Sequence, residues 1–337
     1  MTNPEPGTNE WLEQVVEEIV DPTREIVDPH HHLWQGGRFY DYMLPELWHD
    51  TDSGHNIKKT VFIECHSAYR REGPEHLKPI GETEFVAAVA EQSKQGSDNQ
   101  AVISGIIAHA NLMLGDTVNE ILDAHEEAGR GLFRGIRHAG AREEVPEALL
   151  IKGRGERDLF AKEDFRQGVK LLGNRGLTYE SWHYHHQIKS YTELAQAVPD
   201  TAIIQDHFGT PLGVGPYEGK REEIFEQWKI DIAELAKCQN VYAKLGGMAM
   251  PDNGFWWHMD PVPPTSDEFV AAQKQYYLHT IDCFGPDRCM FESNFPVDRL
   301  SISYPVVWNA FKKIVADFSE AEKDMMFSGT ATKVYKL

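Results

Sequence analysis

The sequence lacks long apolar runs and has little positive charge. No apolar stretch approaches the ~20 residues needed to cross a bilayer, so no membrane-spanning helix is predicted. Its 33 Lys and Arg face 53 Asp and Glu, which gives a formal charge of −20. Such a surface repels phosphate backbones and anionic membranes. We therefore expect neither nucleic acid nor membrane partners, whereas a small-molecule substrate in a local pocket remains compatible with this charge.

The sequence also has few cysteines and no pattern of a secretory signal at its start. Cys65, Cys238, Cys283 and Cys289 form no CxxC pair, which is typical of reduced thiols in a cytosolic protein. The initial stretch MTNPEPGTNEWLEQ has neither a basic start nor an apolar core, so no secretory signal is expected. These features together predict a cytoplasmic protein.

No GxGxxG motif follows the first predicted strand, which disfavours a dinucleotide-binding fold. The sequence instead alternates short, β-branched apolar runs with helical patterns, as expected for parallel strands buried on both faces. Eight such runs favour a (β/α)8 TIM barrel, with an open doubly wound sheet as the alternative. The runs are Ile26–Asp28, Thr60–Glu64, Val102–His109, Leu132–Arg137, Leu177–Trp182, Ala202–Asp206, Val241–Lys244 and Cys289–Phe291.

Two segments differ from this alternation. Apolar residues at helical spacing over residues 11–20 predict a short N-terminal helix, so we divide the chain into an extension, residues 1–25, and a barrel domain, residues 26–337. Residues 246–266 are rich in Gly, Pro and aromatic residues, and long irregular loops of this kind often form lids or binding loops.

Ionisable residues concentrate at one end of the predicted strands. In barrel enzymes the functional groups lie at the carboxyl ends of the strands. A random distribution would scatter such residues over both ends and over the helices, so this concentration predicts an enzyme. The residues in question are His30, His32, Glu64, His109, Arg137, His185, Asp206, His207, Lys244 and Glu292.

The first strand ends in DPHHHLW, which contains three consecutive histidines. Alternate residues of a strand face the same side, so His30 and His32 project together and His31 points away in a structural role. Two imidazoles at this spacing can ligate one divalent ion, and Asp28 could orient a ligand. His207 in DHFG is a candidate third ligand or acid/base, with a structural core histidine as the alternative.

Taken together, DPHHHLW, FRGIRH, DHFG, SNFP and FSGTATKVYKL resemble the amidohydrolase-related metal-dependent hydrolases, and within them the lactonase-like branch. The resemblance runs from the first strand to the last residue and implies a (β/α)8 barrel and a homo-oligomer. It implies that His30, His32 and His207 bind a divalent metal, with Zn as the first choice, and it maps a strand-five role loosely to His185. Some branch members hydrolyse lactones without metal, so a metal-free mechanism stays open.

The sequence departs from the family pattern at strand eight. The family commonly has Gly-Ser-Asp-Trp-Pro where residues 292–296 are ESNFP, which places Asn294 at the position of the Asp. An amide cannot act as a general base near neutral pH and is a weak metal ligand. Glu292, Asp298 and Glu64 are the acids that could replace it.

Glu64 lies at the end of an apolar strand, where burial would raise the pKa of its carboxyl and suit it to proton transfer. The alternative is a structural salt bridge to Arg137 or Lys244. Arg137 itself is a candidate to pair with a substrate carboxylate or with a developing oxyanion, because its fork geometry suits both.

These observations predict a hydrolase that adds water to a lactone, or to a related ester or amide, of a small carboxylated substrate. The catalytic candidates are Glu64, Arg137, His207, Glu292 and Asn294. The substrate-binding candidates are His109, His185 and the lid residues Trp256, Trp257 and His258. Exposed aromatics also mark oligomer contacts. A decarboxylase of the same superfamily and a non-catalytic ligand-binding barrel are the alternatives.

Overall fold

The protein folds around eight parallel β-strands that pair in chain order. The computed structural model describes residues 4–36, 40–97 and 99–337, and all eight strands lie in one sheet with the order β1 to β8. The predicted (β/α)8 barrel is confirmed. The strands are β1 Glu25–His31, β2 Asn56–Ile63, β3 Val102–Ala108, β4 Phe133–Arg137, β5 Thr178–Ser181, β6 Ile203–Gln205, β7 Val241–Leu245 and β8 Cys289–Phe291.

Helices connect the successive strands and pack around them, as the alternating sequence pattern predicts. A helix from α2 to α8 lies between each pair of consecutive strands, and α9 follows β8. A π-helical turn, Met325–Gly329, joins the last two helices. The helices are α1 Asn9–Leu12, α2 Leu44–Thr51, α3 Ile80–Ser93, α4 Thr117–Ala128, α5 Glu163–Asn174, α6 Ile188–Ala197, α7 Arg221–Leu235, α8 Ser266–Phe284, α9 Tyr304–Ile314, α10 Glu320–Asp324 and α11 Thr330–Tyr335.

The barrel closes through the residues that follow β8. The His32 N–H donates to the Phe295 carbonyl oxygen at 2.8 Å, and the Asn294 N–H donates to the His30 carbonyl oxygen at 3.1 Å. His31 and Phe295 also form a parallel bridge. The carboxyl ends of β1 and β8 therefore lie side by side, which brings DPHHHLW next to ESNFP.

The strand positions follow from the apolar runs, and β2 shows where this reasoning is incomplete. β2 begins at Asn56 rather than at the predicted Thr60. The apolar run does not include its first residues, because Asn56, Lys58 and Lys59 are polar and only half-buried. Asn56 and Ile57 nevertheless pair with Glu25 and Ile26 of β1. Backbone pairing thus extends the strand beyond its apolar part.

The predicted helix over residues 11–20 is wrong. α1 covers only Asn9–Leu12, and the chain after it has no helical structure until β1. The Glu17 carboxylate accepts a hydrogen bond from the Ser266 N–H of α8 at 2.7 Å and another from Asn309 of α9 at 3.0 Å. Contacts with the barrel helices thus replace the i→i−4 bonds of a helix, so tertiary structure overrides the local pattern.

The barrel interior near the amino ends of the strands is apolar. α11 packs into this end, and its Tyr335 is completely buried there. Full burial of one such apolar side chain stabilises the fold by about 1.5–3 kcal/mol. We call this group the apolar layer; its members are Val27, Val61, Ile63, Ile107, Ile204, Met290, Ala331 and Tyr335.

Two further predictions can be compared with the structure. All four cysteines are free thiols, as the absence of a CxxC pair predicts. Within the part of the chain that the structure describes, no helix combines the length and the apolar character that a membrane crossing needs.

Candidate active site

Eight polar side chains meet inside the barrel at the carboxyl ends of the strands, beyond the apolar layer. Each of them exposes at most 7% of its surface. Adjacent parallel strands end at the same level, so residues that are distant in sequence converge here. We call this group the ionic cluster; its members are His30, Glu64, Arg137, Glu180, Asp206, His207, Lys244 and Glu292.

Glu292 lies between two imidazoles. Nδ1 of His207 donates to Oε1 of Glu292 at 2.7 Å, and Nδ1 of His30 lies 2.7 Å from Oε2. Burial alone would lower the pKa of His207, but Glu292 raises it above its ordinary value. Burial, together with the charge of Lys244, holds the pKa of His30 well below its ordinary value. The cluster therefore pairs a readily protonated imidazole with a neutral one, an arrangement suited to proton transfer.

The backbone after β6 and β7 is shaped to bring His207 to Glu292. His207 has a left-handed backbone with a φ of 54°. Gly247 approaches it so closely that a Cβ on this glycine would lie 2.2 Å from Nδ1 of His207. Only glycine fits at this position, since any side chain would displace the imidazole. Strained backbone of this kind is typical of functional sites.

Lys244 is the innermost cation of the ionic cluster. Its Nζ lies 2.7 Å from Glu180 Oε2, 3.6 Å from Asp206 Oδ1 and 3.9 Å from Glu292 Oε2. Burial would lower the pKa of Lys244, but these carboxylates raise it, so the ammonium stays charged. Burial raises the pKa of Glu180 to about 7 despite the nearby lysine. The other oxygen of Glu180 accepts a hydrogen bond from the hydroxyl of Tyr335.

Glu64 forms an ion pair with Arg137, and the prediction of a raised pKa for Glu64 is wrong. Nε of Arg137 donates to Glu64 Oε1 at 2.9 Å, and a second guanidinium nitrogen donates to the Glu64 carbonyl. Burial would raise the pKa of Glu64, but the charge of Arg137 holds it below its ordinary value. The third nitrogen of Arg137 lies 3.4 Å from Nε2 of His30 and 3.6 Å from Asp206. Most of the N–H groups of the guanidinium thus already contact groups of the protein.

Asn294 lies beside the ionic cluster and contacts Asp298. Its amide nitrogen donates to Asp298 Oδ1 at 2.8 Å, and its φ of 54° is a left-handed conformation that asparagine adopts more readily than most residues. Burial raises the pKa of Asp298 to about 7. The carboxylate that contacts the histidines is Glu292, two residues earlier in the chain.

The three histidines of DPHHHLW separate as strand alternation predicts. The rings of His30 and His32 lie together, with their centroids 5.0 Å apart. Nδ1 of His32 lies 2.8 Å from the Ile63 carbonyl oxygen, which leaves Nε2 for a ligand. His31 is buried on the other side, where Nε2 lies 3.0 Å from the Thr60 hydroxyl.

The sequence suggests that Asp28 orients a ligand, but in the structure its carboxylate binds backbone N–H groups. Its carboxylate accepts hydrogen bonds from the N–H of His30 at 3.3 Å and of Ser293 at 3.0 Å, and from the Tyr304 hydroxyl at 2.8 Å. Burial raises its pKa to about 6. Asp28 therefore ties the ends of β1 and β8 together without touching an imidazole.

At strand five the structure places His183, rather than His185, near the ionic cluster. His183 is fully buried against Tyr191, and Asp206 acts on its pKa, which burial lowers to about 3. His185 instead accepts a hydrogen bond from the Leu212 N–H. The strand-three candidate His109 lies at the edge of the cluster, where its Nδ1 is 3.1 Å from the Arg137 carbonyl oxygen.

The predicted lid residues lie away from the ionic cluster. Trp257 stacks on Phe255 and on Phe269 of α8, with ring centroids 5.0 and 5.5 Å apart. Trp256 is 45% exposed and stacks on His258. A cavity lined by Trp34 and Tyr40 lies beside the ionic cluster, and none of these three residues lines it.

A hydrogen-bonded contact between two loops lies next to this cavity. The carboxylate of Asp252 accepts hydrogen bonds from the N–H groups of Leu150 and Ile151 at 2.7 and 2.8 Å. These residues belong to the long connection between β4 and α5. The contact holds Ile151 in the wall of the cavity.

The cavity beside the ionic cluster has a volume of about 480 Å³, which suits a small molecule. Trp34 lines it and stacks on His32, with ring centroids 6.1 Å apart. The Tyr40 hydroxyl donates to the Pro296 carbonyl oxygen at 2.7 Å and so fixes a second aromatic wall. His66 lies at its edge, 53% exposed, with Nε2 3.8 Å from Glu64. None of the eight cluster side chains lines the cavity itself, so His66 is the lining residue that connects it to the ionic cluster.

Comparison with known proteins identifies the family. The sequence model of one family, described as amidohydrolase, matches residues 27–337. The chain belongs to the amidohydrolase family. Protein y4mH of Sinorhizobium fredii is 32% identical over 330 residues, which cover 93% of this chain and 98% of y4mH.

Two further relatives come from Burkholderia multivorans. An L-fucono-1,5-lactonase is 24% identical over 267 residues, covering 78% of this amidohydrolase and 86% of the lactonase. A crystal structure of an amidohydrolase with bound zinc superposes with a TM-score of 0.69 at 21% identity and covers 93% of this chain and 99% of its own. At this identity the likeness supports the fold alone.

The donor atoms of the cluster fit one divalent metal ion. His30, His207 and Glu292 each offer a ligand atom within 4.8 Å of the others. With the carboxyls ionised and both imidazoles neutral, the four carboxylates of the ionic cluster face the two cations Arg137 and Lys244, which leaves two negative charges in excess. Among the described residues, none donates a well-aligned hydrogen bond to Glu292 Oε2, although Nδ1 of His30 lies 2.7 Å away. His32, a predicted ligand, lies outside this group.

Sequence reasoning does not select Glu180 as a candidate site residue, and it notes Asp206 and Lys244 only as ionisable residues at strand ends. All three lie within or directly after strands whose other residues are mostly apolar. A charged residue inside such a strand is the signal that would have identified them, because a buried charge requires a partner. The pair Gly246 and Gly247 after β7 was a second signal, since it marks a close backbone approach.

Proposed function

We propose that this amidohydrolase hydrolyses a lactone, the cyclic ester of a small molecule. The observation that carries the proposal is the position of Glu292, with one oxygen 2.7 Å from each of two imidazoles at the carboxyl end of the barrel. The similarity to an L-fucono-1,5-lactonase supports the choice of a lactone. A cyclic ester also suits the aromatic walls of the neighbouring cavity.

In the metal-free form of the proposed mechanism His207 is the general base. Glu292 accepts the Nδ1 proton of His207, which leaves Nε2 to take a proton from the attacking water. The raised pKa of His207 keeps this proton available for the leaving alkoxide when the ring opens. This role replaces the one that the family pattern assigns to residue 294.

Positive charge near the carbonyl stabilises the oxyanion that forms during attack. Arg137 keeps its charge at all relevant pH values, because Glu64 and Asp206 offset the effect of burial and raise its pKa. Because Arg137 is paired with Glu64, it acts as a positive charge in a fixed position and does not move to bind a substrate carboxylate. A preorganised charge of this kind needs no reorganisation during the reaction.

A metal ion, when bound, would be held by His30, His207 and Glu292 and would polarise the carbonyl and acidify a water molecule. Zinc suits such a nitrogen and oxygen donor set. Arg137 and the cavity walls would keep their roles in orientation and charge.

The test is turnover of a panel of sugar and aromatic lactones, linear esters and amides, measured by proton release above the spontaneous rate. We expect turnover of at least one lactone and its loss in a Glu292→Gln variant. The assay is run after chelator dialysis and again after addition of Zn²⁺. A correctly folded protein that opens no lactone under either condition contradicts the proposal, and release of carbon dioxide from a carboxylate panel would favour a decarboxylase.

A further inference from the structure

We propose that Glu180, Asp206 and His30 form an inner cation site that the ammonium group of Lys244 occupies permanently in place of a divalent metal. Nζ of Lys244 lies 2.7 Å from Glu180, 3.6 Å from Asp206 and 3.2 Å from Nδ1 of His30. These three side chains also have ligand atoms within 4.8 Å of one another, the spacing of a metal site. The lysine thus lies where a metal ion would otherwise bind.

A second observation shows that the inner site is built for a cation. Asp206 is fully buried, and neither of its carboxylate oxygens has a hydrogen-bond partner among the described residues. A buried carboxylate without hydrogen bonds is costly unless a positive charge lies nearby. Lys244 and Arg137, both within 3.6 Å, supply this charge.

The floor of the barrel holds Glu180 in place for this role. The Tyr335 hydroxyl donates to one oxygen of Glu180, and the other oxygen faces Lys244. The carboxylate is therefore fixed on both sides. A side chain oriented this way is a preformed ligand rather than a flexible counter-ion.

The inner site limits the number of metal ions in the barrel. His30 belongs to both the inner group and the outer group formed with His207 and Glu292. Lys244 lies 3.9 Å from Glu292, so its charge also opposes any ion placed deeper than the outer group. The native chain therefore holds at most one divalent ion, and removal of the lysine charge opens a place for another with oxygen and nitrogen ligands.

The test is the number of Mn²⁺ ions bound per chain, which does not depend on any substrate or on the proposed function. Native protein and a Lys244→Ala variant are dialysed against chelator and titrated with Mn²⁺, and free Mn²⁺ is followed by paramagnetic resonance. We expect the variant to bind one more equivalent than the native chain. The double variant Lys244→Ala/Glu180→Gln should lose the extra equivalent, and Lys244→Arg, which keeps the charge, should match the native chain.

With folded protein, two results overturn the proposal: a native chain that binds two Mn²⁺ ions, or a Lys244→Ala variant that binds no more than the native chain. If this variant is unfolded after chelator dialysis, circular dichroism is recorded while Mn²⁺ is added. Recovery of the barrel spectrum with Mn²⁺ supports an inner cation site. Failure to refold with Mn²⁺, while the native chain refolds under the same conditions, shows that Lys244 is a structural ion-pair partner only.

Discussion

Ile204 and Asp206 are separated by a single residue at β6, and both side chains point into the barrel. Ile204 is fully buried among the side chains of the apolar layer. Asp206 is equally buried in the ionic cluster, where neither of its oxygens has a hydrogen bond from the described residues. The contrast indicates that the apolar layer stabilises the fold, whereas the ionic cluster provides reactive groups and lowers the stability of the fold. Variants of the two groups test this difference.

The largest effect is expected from Glu292→Gln. The amide keeps the shape of the side chain but cannot accept the Nδ1 proton of His207 as a carboxylate does, so we expect lactone turnover to fall by about 10²–10⁴-fold. Unfolding by urea should change little. Glu127→Gln, an exposed carboxylate of α4, is the matched control. Native-like turnover in Glu292→Gln would remove this residue from the mechanism.

The second prediction compares the two layers directly. Ile204→Ala leaves a cavity in the apolar layer and should lower the free energy of unfolding by about 2–5 kcal/mol. Asp206→Asn should lower it by less than about 1 kcal/mol, because Glu64, Glu180 and Glu292 remain and leave neither Arg137 nor Lys244 as an unpaired buried charge. Urea unfolding of both variants, followed by circular dichroism after chelator dialysis, gives the two values. Equal losses would show that both layers support the fold.

The third prediction concerns pH. Burial raises the pKa of Glu180 and of Asp298 to about 7 in the folded chain, above the ordinary values of 4.5 and 3.8. At these two groups the folded state therefore binds more protons than the unfolded state between these values, and their contribution to stability falls as the pH rises from about 4 to 7. Buried histidines act in the opposite direction, because burial lowers the pKa of His31 to about 4 and of His183 to about 3. The contribution of the carboxyls is therefore measured by removing one of them and comparing melting temperatures, where one kcal/mol corresponds to about 2–4 °C.

Asp298→Asn tests the origin of this pH dependence. The variant removes one of the two carboxyls, so its melting temperature relative to that of the native protein should be several degrees higher at pH 8 than at pH 5. An equal change at both pH values would mean that Asp298 has an ordinary pKa in the folded chain.

The smallest effect is expected from Tyr335→Phe. The ring stays in the apolar layer, and only the hydrogen bond to Glu180 is lost, so the free energy of unfolding should fall by about 0.5–1.5 kcal/mol. Tyr335→Ala, which also removes the ring, should cost about 3–5 kcal/mol. If the two variants lose the same amount, the hydroxyl rather than the ring holds α11 in place.

The fold could be predicted from the sequence because each strand is a short apolar run followed by a helical pattern. The same reasoning placed His30, Arg137, His207 and Glu292 at the carboxyl ends of strands. It failed for residues 11–20, because side chains of α8 and α9 determine that conformation and nothing local encodes them.

The details of the site were harder to predict, since they depend on which residue of each strand end points inward. At β8 the family pattern directed attention to Asn294, yet the inward carboxylate is Glu292, in step with Met290 of the apolar layer. At strand five the same uncertainty favoured His185 over His183. The pKa of Glu64 could not be predicted, because it depends on the distance to Arg137.

The position of α11 has a consequence for how the chain acquires its structure during synthesis. Ala331 and Tyr335 complete the apolar layer against strands that begin at Glu25. This packing joins the two ends of a long sequence, and contacts of such separation form late. A nascent chain still attached to the ribosome near residue 335 therefore has an open barrel floor and an unsupported Glu180. Its ionic cluster takes its final form only after residue 335 has left the exit tunnel.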